Sequence, residues 1–143
     1  MSAFDGRGRV MQLGEMVVDA QPFRCPQKAV DRATVRRMIE VTVAAALDLP
    51  VEELSAKTRR TAPVAFARQI SMYCAHVGFG WSLTEAGTVF DRDRTTAAHA
   101  CRVVEDRRDD KRIDALLQQV EETLHLWLSA VEGCRQMRPE YRQ

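Results

Sequence analysis

Phe90-Asp91-Arg92-Asp93-Arg94-Thr95-Thr96-Ala97-Ala98-His99-Ala100-Cys101-Arg102 sets the reading of everything around it. Asp93 is a good N-cap, because its short carboxylate can accept a hydrogen bond from an amide of the first helical turn. A helix started there puts Ala97, Ala100, Cys101 and Val104 on one face and Thr95, His99 and Arg102 on the other. One face is small and apolar, the other hydrogen-bonding. Immediately upstream, Ser82-Leu83-Thr84-Glu85 is a capping box, in which serine and glutamate satisfy each other's amides and start a short helix that Phe90 closes. A short helix, a tight polar turn and a second helix opening on Arg and Thr make a helix-turn-helix, which presents the start of its second helix to base edges. The same shape also occurs in plain helical bundles, so the local pattern alone leaves both readings open.

Working outward, the periodicity predicts further helices. From about Asp31, Val35, Met38, Ile39, Thr42, Val43 and Ala46 line one stripe, and Leu49-Pro50 ends that helix. A short helix over Val51 to about Ser55 follows. Ala56 to Thr61 is a basic loop suited to a phosphate or a narrow minor groove, or simply an exposed loop. A third helix is expected from Ala62 to Gly78, with Pro63 in its tolerant first turn. Phe66, Ile70, Tyr73, Cys74 and Val77 are expected on its buried face, with Arg68, Met72 and His76 on another side. Trp81 is read as a packing anchor. Beyond the helix-turn-helix, the charged run Glu105 to Arg112 is expected to be a solvated junction. A last helix should bury Ile113, Leu116, Leu117, Val120, Leu124, Trp127, Leu128 and Val131 and stop at Gly133.

The organisation is therefore a loosely ordered arm over residues 1–30, a helical domain over 31–132 and a polar tail over 133–143. Val10, Leu13, Met16, Val17 and Val18 form an apolar patch in the arm, able to dock on the domain or on a protein partner. A length of 143 residues and a hydrophobic content of 45% suit one modest core, and 6% aromatics point to packed helices rather than a sandwich or barrel. The fold class is all-α.

A net charge of +1 is low for a nucleic-acid binder. Its distribution matters more. Lys57, Arg59, Arg60, Arg68, Arg92, Arg94 and Arg102 gather in the proposed DNA-facing section, whereas Asp114, Glu121, Glu122 and Glu132 fall on the last helix. No signal peptide or transmembrane stretch is visible, so a cytoplasmic, nucleoid-associated protein is expected. Cys25, Cys74, Cys101 and Cys134 show no Cys-x-x-Cys spacing and are read as free thiols. Cys74, His76 and His99 lie on different helix faces, a poor zinc set, and no metal or other cofactor is expected. The three histidines, His76, His99 and His125, have no nucleophile or carboxylate arranged around them, so no enzymatic activity is expected.

The run from Arg92 to Arg102 resembles the C-terminal DNA-binding domain, domain IV, of the bacterial replication initiator DnaA. The likeness extends through Arg59-Arg60, Ala67-Arg68-Gln69-Ile70 and Ser82-Leu83-Thr84-Glu85, covering roughly Ala33 to Trp127. It implies that Arg60 enters the minor groove while Asp93, Arg94 and Thr95 read bases in the major groove. It further implies phosphate contacts from Arg68, Gln69, His76, the backbone amide of Leu83, and Thr96, with Arg59 beside them. Such contacts fix register rather than sequence.

The chain also departs from the family pattern. Arg94 stands where the family has histidine, Thr84 where it has proline, His76 where it has lysine, and Ala62 where it has a second loop arginine. Arginine favours a bidentate bond to guanine O6 and N7, so the preferred site is expected to differ from the family's A/T-rich box. No Gly-x-x-x-x-Gly-Lys-Ser/Thr loop occurs in these residues, and the expectation is a stand-alone domain without the ATPase. The function expected is sequence-specific binding of double-stranded DNA, in transcriptional regulation or in modulation of replication initiation. The competing reading is an interaction protein that keeps the fold but holds a protein partner. A homodimer seam on the last helix is the remaining partner considered.

Overall fold

The computed structural model describes residues 30–56 and 61–137, together with the backbone of two short strands, β1 (Ala3–Phe4) and β2 (Val10–Met11). These strands pair antiparallel, Ala3 opposite Met11 and Phe4 opposite Val10. Of the apolar patch expected in the arm, Val10 lies in β2, while Leu13, Met16, Val17 and Val18, the residues Lys57 to Arg60, Cys25 and the tail from residue 138 lie outside the described residues. The remaining regular elements among the described residues are helical: α1 (Arg32–Ala46), α2 (Val51–Ser55), α3 (Ala62–Tyr73), α4 (Leu83–Val89), α5 (Arg94–Arg107) and α6 (Lys111–Gln136).

Each start has a local chemical cause. Asp31 caps α1 through its carboxylate on the Thr34 amide at 2.9 Å, and Asp110 caps α6 on the Arg112 amide at 2.8 Å. α1 ends three residues before Leu49, with Asp48 in the left-handed region at φ 54° and the Leu49 amide reaching back to the Ala44 carbonyl at 2.9 Å. Asp is one of the few side chains that tolerate that conformation. α3 does not run as a regular helix to Gly78: the segment Cys74–Gly78 widens into a π-helical turn. Gly80 follows at φ 70°, and the Trp81 amide bonds back to the Ala75 carbonyl at 3.2 Å, tucking the indole into the core.

α1 packs against α3 and α6, and α5 lies along α3 and α4. The main core joins Val35, Ile39 and Val43 of α1, Ile70 of α3, Val104 of α5, and Leu117, Leu124 and Leu128 of α6, with Phe79 and Trp81 closing it. Ile39, Ile70, Leu117 and Leu128 are wholly buried, each worth about 1.5–3 kcal/mol of transfer free energy. A second, smaller cluster of Met72, Ala97 and Ala100, covered by Leu83 and Phe90, sits directly beneath the helix-turn-helix. Alanines there let α5 lie close to α3, and Met72 fills the remaining gap.

Four expectations need correction. Met72, expected on another side of α3 from its buried face, is itself buried against Ala97 and Ala100 of α5. Val77, expected in the core, is 36% exposed, because the π turn rotates it away from the face that buries Ile70 and Cys74. Gly133 does not stop α6, which continues to Gln136. The run Glu105 to Arg112 is not simply solvated. Arg108, with 21% of its side chain exposed, donates to Asp114 at 2.6 Å, Glu121 at 2.7 Å and the Tyr73 hydroxyl at 3.0 Å. That arginine ties the end of α5 to α3 and α6, and it consumes two of the acids that looked like a free surface.

Candidate nucleic-acid interface

Two N-termini define the exposed side of the helix-turn-helix. At α4, Ser82 accepts from the Glu85 amide at 3.1 Å while the Glu85 carboxylate accepts from the Ser82 amide at 2.9 Å, the reciprocal capping box read from the sequence. Arg32 adds an ion pair to Glu85 at 2.7 Å. These bonds, the Ser82 amide first, hold the Glu85 carboxyl below its ordinary value. Leu83 is the first residue of α4, where the amide has no acceptor within its own helix. Its position suits an incoming anion.

At α5, the Asp93 carboxylate accepts from the Thr96 amide at 2.7 Å, and that bond lowers its pKa. Asp93, Arg94 and Thr95 are exposed, Thr96 is half-buried, and His99 and Arg102 continue the exposed face one and two turns on. The opposite face, Ala97, Ala100, Cys101 and Val104, is buried. The division of faces is the one that the spacing predicts. Among the described residues, neither Arg94 nor Arg102 forms an ion pair, whereas Arg32, Arg36 and Arg108 are all paired with carboxylates. Arg94 and Arg102 thus keep their charge unpaired on the exposed face of α5.

The turn between α4 and α5 depends on Gly87, whose importance the sequence reading missed. Its carbonyl accepts from the Arg92 amide at 2.8 Å, and a Cβ there would lie 2.7 Å from the Asp93 carbonyl oxygen. Only glycine allows that approach. Asp91 completes the turn at φ 57°.

The remaining site candidates are placed as follows. Arg68 of α3 turns toward α2, where its guanidinium donates to the carbonyls of Leu54 at 3.0 Å and Glu53 at 3.2 Å, and also to that of Ala56. It holds the end of α2 just ahead of the basic segment. Gln69 is half-buried beside it. His76 in the π turn has Nδ1 2.6 Å from the Trp81 carbonyl oxygen, so Nδ1 carries a proton and Nε2 is the nitrogen left for other contacts. Arg59 and Arg60 lie outside the described residues.

Arg36 and Glu40 also escaped the sequence reading. Arg36 donates to the Val89 carbonyl at 2.5 Å and to Asp91 at 3.3 Å, and lies 5.4 Å from the centre of the Phe90 ring. Glu40, only 3% exposed, takes the other side of the same guanidinium at 3.1 Å. Their i,i+4 spacing was visible, but nothing in the spacing says what else the guanidinium reaches. Among the described residues no group of three His, Cys, Asp or Glu side chains could hold a metal ion, and no helix is long and apolar enough to cross a membrane.

Comparison with known proteins places this geometry in a sequence context. Residues 37–104, from within α1 to near the end of α5, match the family described as the bacterial dnaA protein helix-turn-helix. The chain is 35% identical over 96 residues to the chromosomal replication initiator protein DnaA of Bordetella pertussis, a match covering 66% of this chain and 19% of that protein. The same identity and coverage hold for the DnaA proteins of Bordetella parapertussis and Bordetella petrii. The chain therefore matches about a fifth of the length of these relatives.

Proposed function

We propose that the helix-turn-helix of residues 37–104, which belongs to the bacterial DnaA type, binds double-stranded DNA in a sequence-specific manner and serves transcriptional regulation or the modulation of replication initiation. The observation that carries this is the exposed, unpaired cationic face at the start of α5, built over a buried alanine floor. A fold needs no arginine at position 94, whereas a major-groove reader can use one for a bidentate bond to guanine.

In this reading the N-terminal turn of α5 enters the major groove. Arg94 makes a bidentate contact to a guanine, and Thr95 and Asp93 address neighbouring base edges. The Asp93 oxygen that caps Thr96 is committed to the helix, which leaves its second oxygen for a cytosine N4 donor. The Leu83 amide, Thr96 and Gln69 take phosphates and set register. Arg60 reaches the adjacent minor groove, and Arg59 beside it takes a phosphate. Arg68 contributes through the carbonyls it holds at the end of α2 and through its charge. His76 has Nδ1 committed to the Trp81 carbonyl, so its contact with phosphate is through Nε2.

The test is selection from a random duplex pool at fixed salt, followed by Arg94→Ala. The substitution should cost about 1–3 kcal/mol on the selected duplex and relax preference at one base pair. Equal weakening on every sequence would reduce Arg94 to a phosphate contact. If the folded chain enriches no sequence at all, the DNA reading falls and a protein partner becomes the better account.

A further inference from the structure

We infer that the Arg36–Glu40 pair of α1 is a positioning device that couples the two DNA-facing elements, the turn ahead of α5 and the end of α2 that leads into the basic segment. This rests on the DNA-binding reading above. One guanidinium spans α1 and the turn: it reaches the Val89 carbonyl at 2.5 Å, Asp91 at 3.3 Å and Glu40 at 3.1 Å. Glu40 extends the string, its second oxygen accepting a weak bond from the Ser55 hydroxyl at 3.4 Å, at the last residue of α2.

Burial makes the string stiff. The Glu40 side chain is 4% exposed, so Arg36 cannot swing away without leaving a carboxylate desolvated and unpaired. The region is not filled by apolar packing. Arg36, Glu40, Ser55 and Asp91, with Leu54 and Phe90 among the apolar lining, border a cavity of about 290 Å³. Between the end of α2 and the turn there is thus a gap bridged by polar groups. α2 itself packs on α1 and α3, and Arg68, which lines the same cavity, holds its last carbonyls. The separation of the end of α2 from the turn ahead of α5 is consequently set through Arg36 and Glu40. Neither residue touches DNA in this account; each acts by fixing where the reading groups stand.

The experiment uses the full chain carrying Glu40→Gln, an isosteric change that removes the charge, and Ser55→Ala, which removes only the weak bond. In the free protein, amide chemical shifts should move for Ser55 and Ala56 and for Val89 to Asp93 in Glu40→Gln, with the melting transition still cooperative. Shifts confined to α1 would overturn the coupling without reference to DNA. With a duplex selected by the unmodified chain and a scrambled duplex of the same composition, Glu40→Gln should lose about tenfold in preference while affinity for the scrambled duplex stays within about twofold. Ser55→Ala should lose less. A uniform loss on both duplexes, or an unchanged ratio, would overturn the inference while leaving the DNA reading intact. A chain that shows the coupled shifts but selects no duplex would defeat the DNA reading, and the positioning role with it.

Discussion

Gly87→Ala and Gly133→Ala make the same chemical change in two helices and should have opposite effects. In an unconstrained helix, alanine is favoured over glycine by about 1 kcal/mol, because glycine loses more backbone entropy on folding. At Gly133 in α6 nothing lies within 4 Å of the added Cβ, so most of that gain should appear. At Gly87 the added carbon would meet the Asp93 carbonyl oxygen at 2.7 Å, the Arg92 carbonyl oxygen at 2.9 Å and the Asp93 carbonyl carbon at 3.0 Å. Optimal non-bonded separations start near 3.5 Å, so the turn must retreat by about 0.8 Å. All three obstacles are backbone, and that backbone is pinned by the Asp93 cap on Thr96 and by the Arg92 amide on the Gly87 carbonyl. Overpacking of this kind costs about 1–3 kcal/mol, which outweighs the helix propensity gained. Thermal unfolding followed by circular dichroism should show Gly87→Ala melting lower by about 4–8 °C per kcal/mol and Gly133→Ala melting higher. The retreat also displaces Asp93 and Arg94 relative to α4, so preference for a selected duplex should fall further than affinity for a scrambled one. If Gly87→Ala gains as much stability as Gly133→Ala and keeps its DNA preference, the close-packed turn is wrong as a cause.

Arg108→Met should destabilise the domain by about 2–3 kcal/mol in urea unfolding, since it strands the Asp114 and Glu121 carboxylates and the Tyr73 hydroxyl, and Arg108→Lys should restore only part of this. An unchanged midpoint would show that the network contributes nothing. Asp31, Glu85 and Asp93 all have pKa values held down by helix-start hydrogen bonds. Depressed carboxylates stabilise above their unfolded values and lose that stabilisation as pH falls through the folded ones, so stability should decline from about pH 4.5 downward. Asp31→Asn with Asp93→Asn keeps both caps without the charge; its acid slope should be shallower, and an identical slope would contradict the assignment. Burial pushes the Cys74 thiol up and Cys101 up to about 11, while Cys134 is exposed. In a Cys25→Ser background a thiol reagent at pH 8 should modify Cys134 in the native state, with Cys74 and Cys101 reacting only on unfolding. Rapid modification of all three would refute their burial.

The helix-turn-helix was legible because its determinants are local. Capping boxes, N-cap carboxylates and a 3.6-residue spacing act within one or two turns, so Ser82, Glu85 and Asp93 announce the starts of α4 and α5, and the alternation from Thr95 to Val104 announces which face is buried. The apolar stripe of α6 was legible for the same reason. What tertiary structure alone decided involves groups far apart in the chain. Arg108 reads as one charge in a mixed run until folding brings Tyr73, Asp114 and Glu121 to it. Gly87 reads as a weak spot in a short helix until the backbone of Arg92 and Asp93 folds back against it. Glu40 lies beside an apolar stripe and would be assigned to solvent, but its burial depends on Arg36 bridging to Val89 and Asp91 more than fifty positions away. Sequence spacing records which side chains share a helix face, whereas long-range hydrogen bonds and close backbone approaches depend on how helices pack, and no local pattern encodes that.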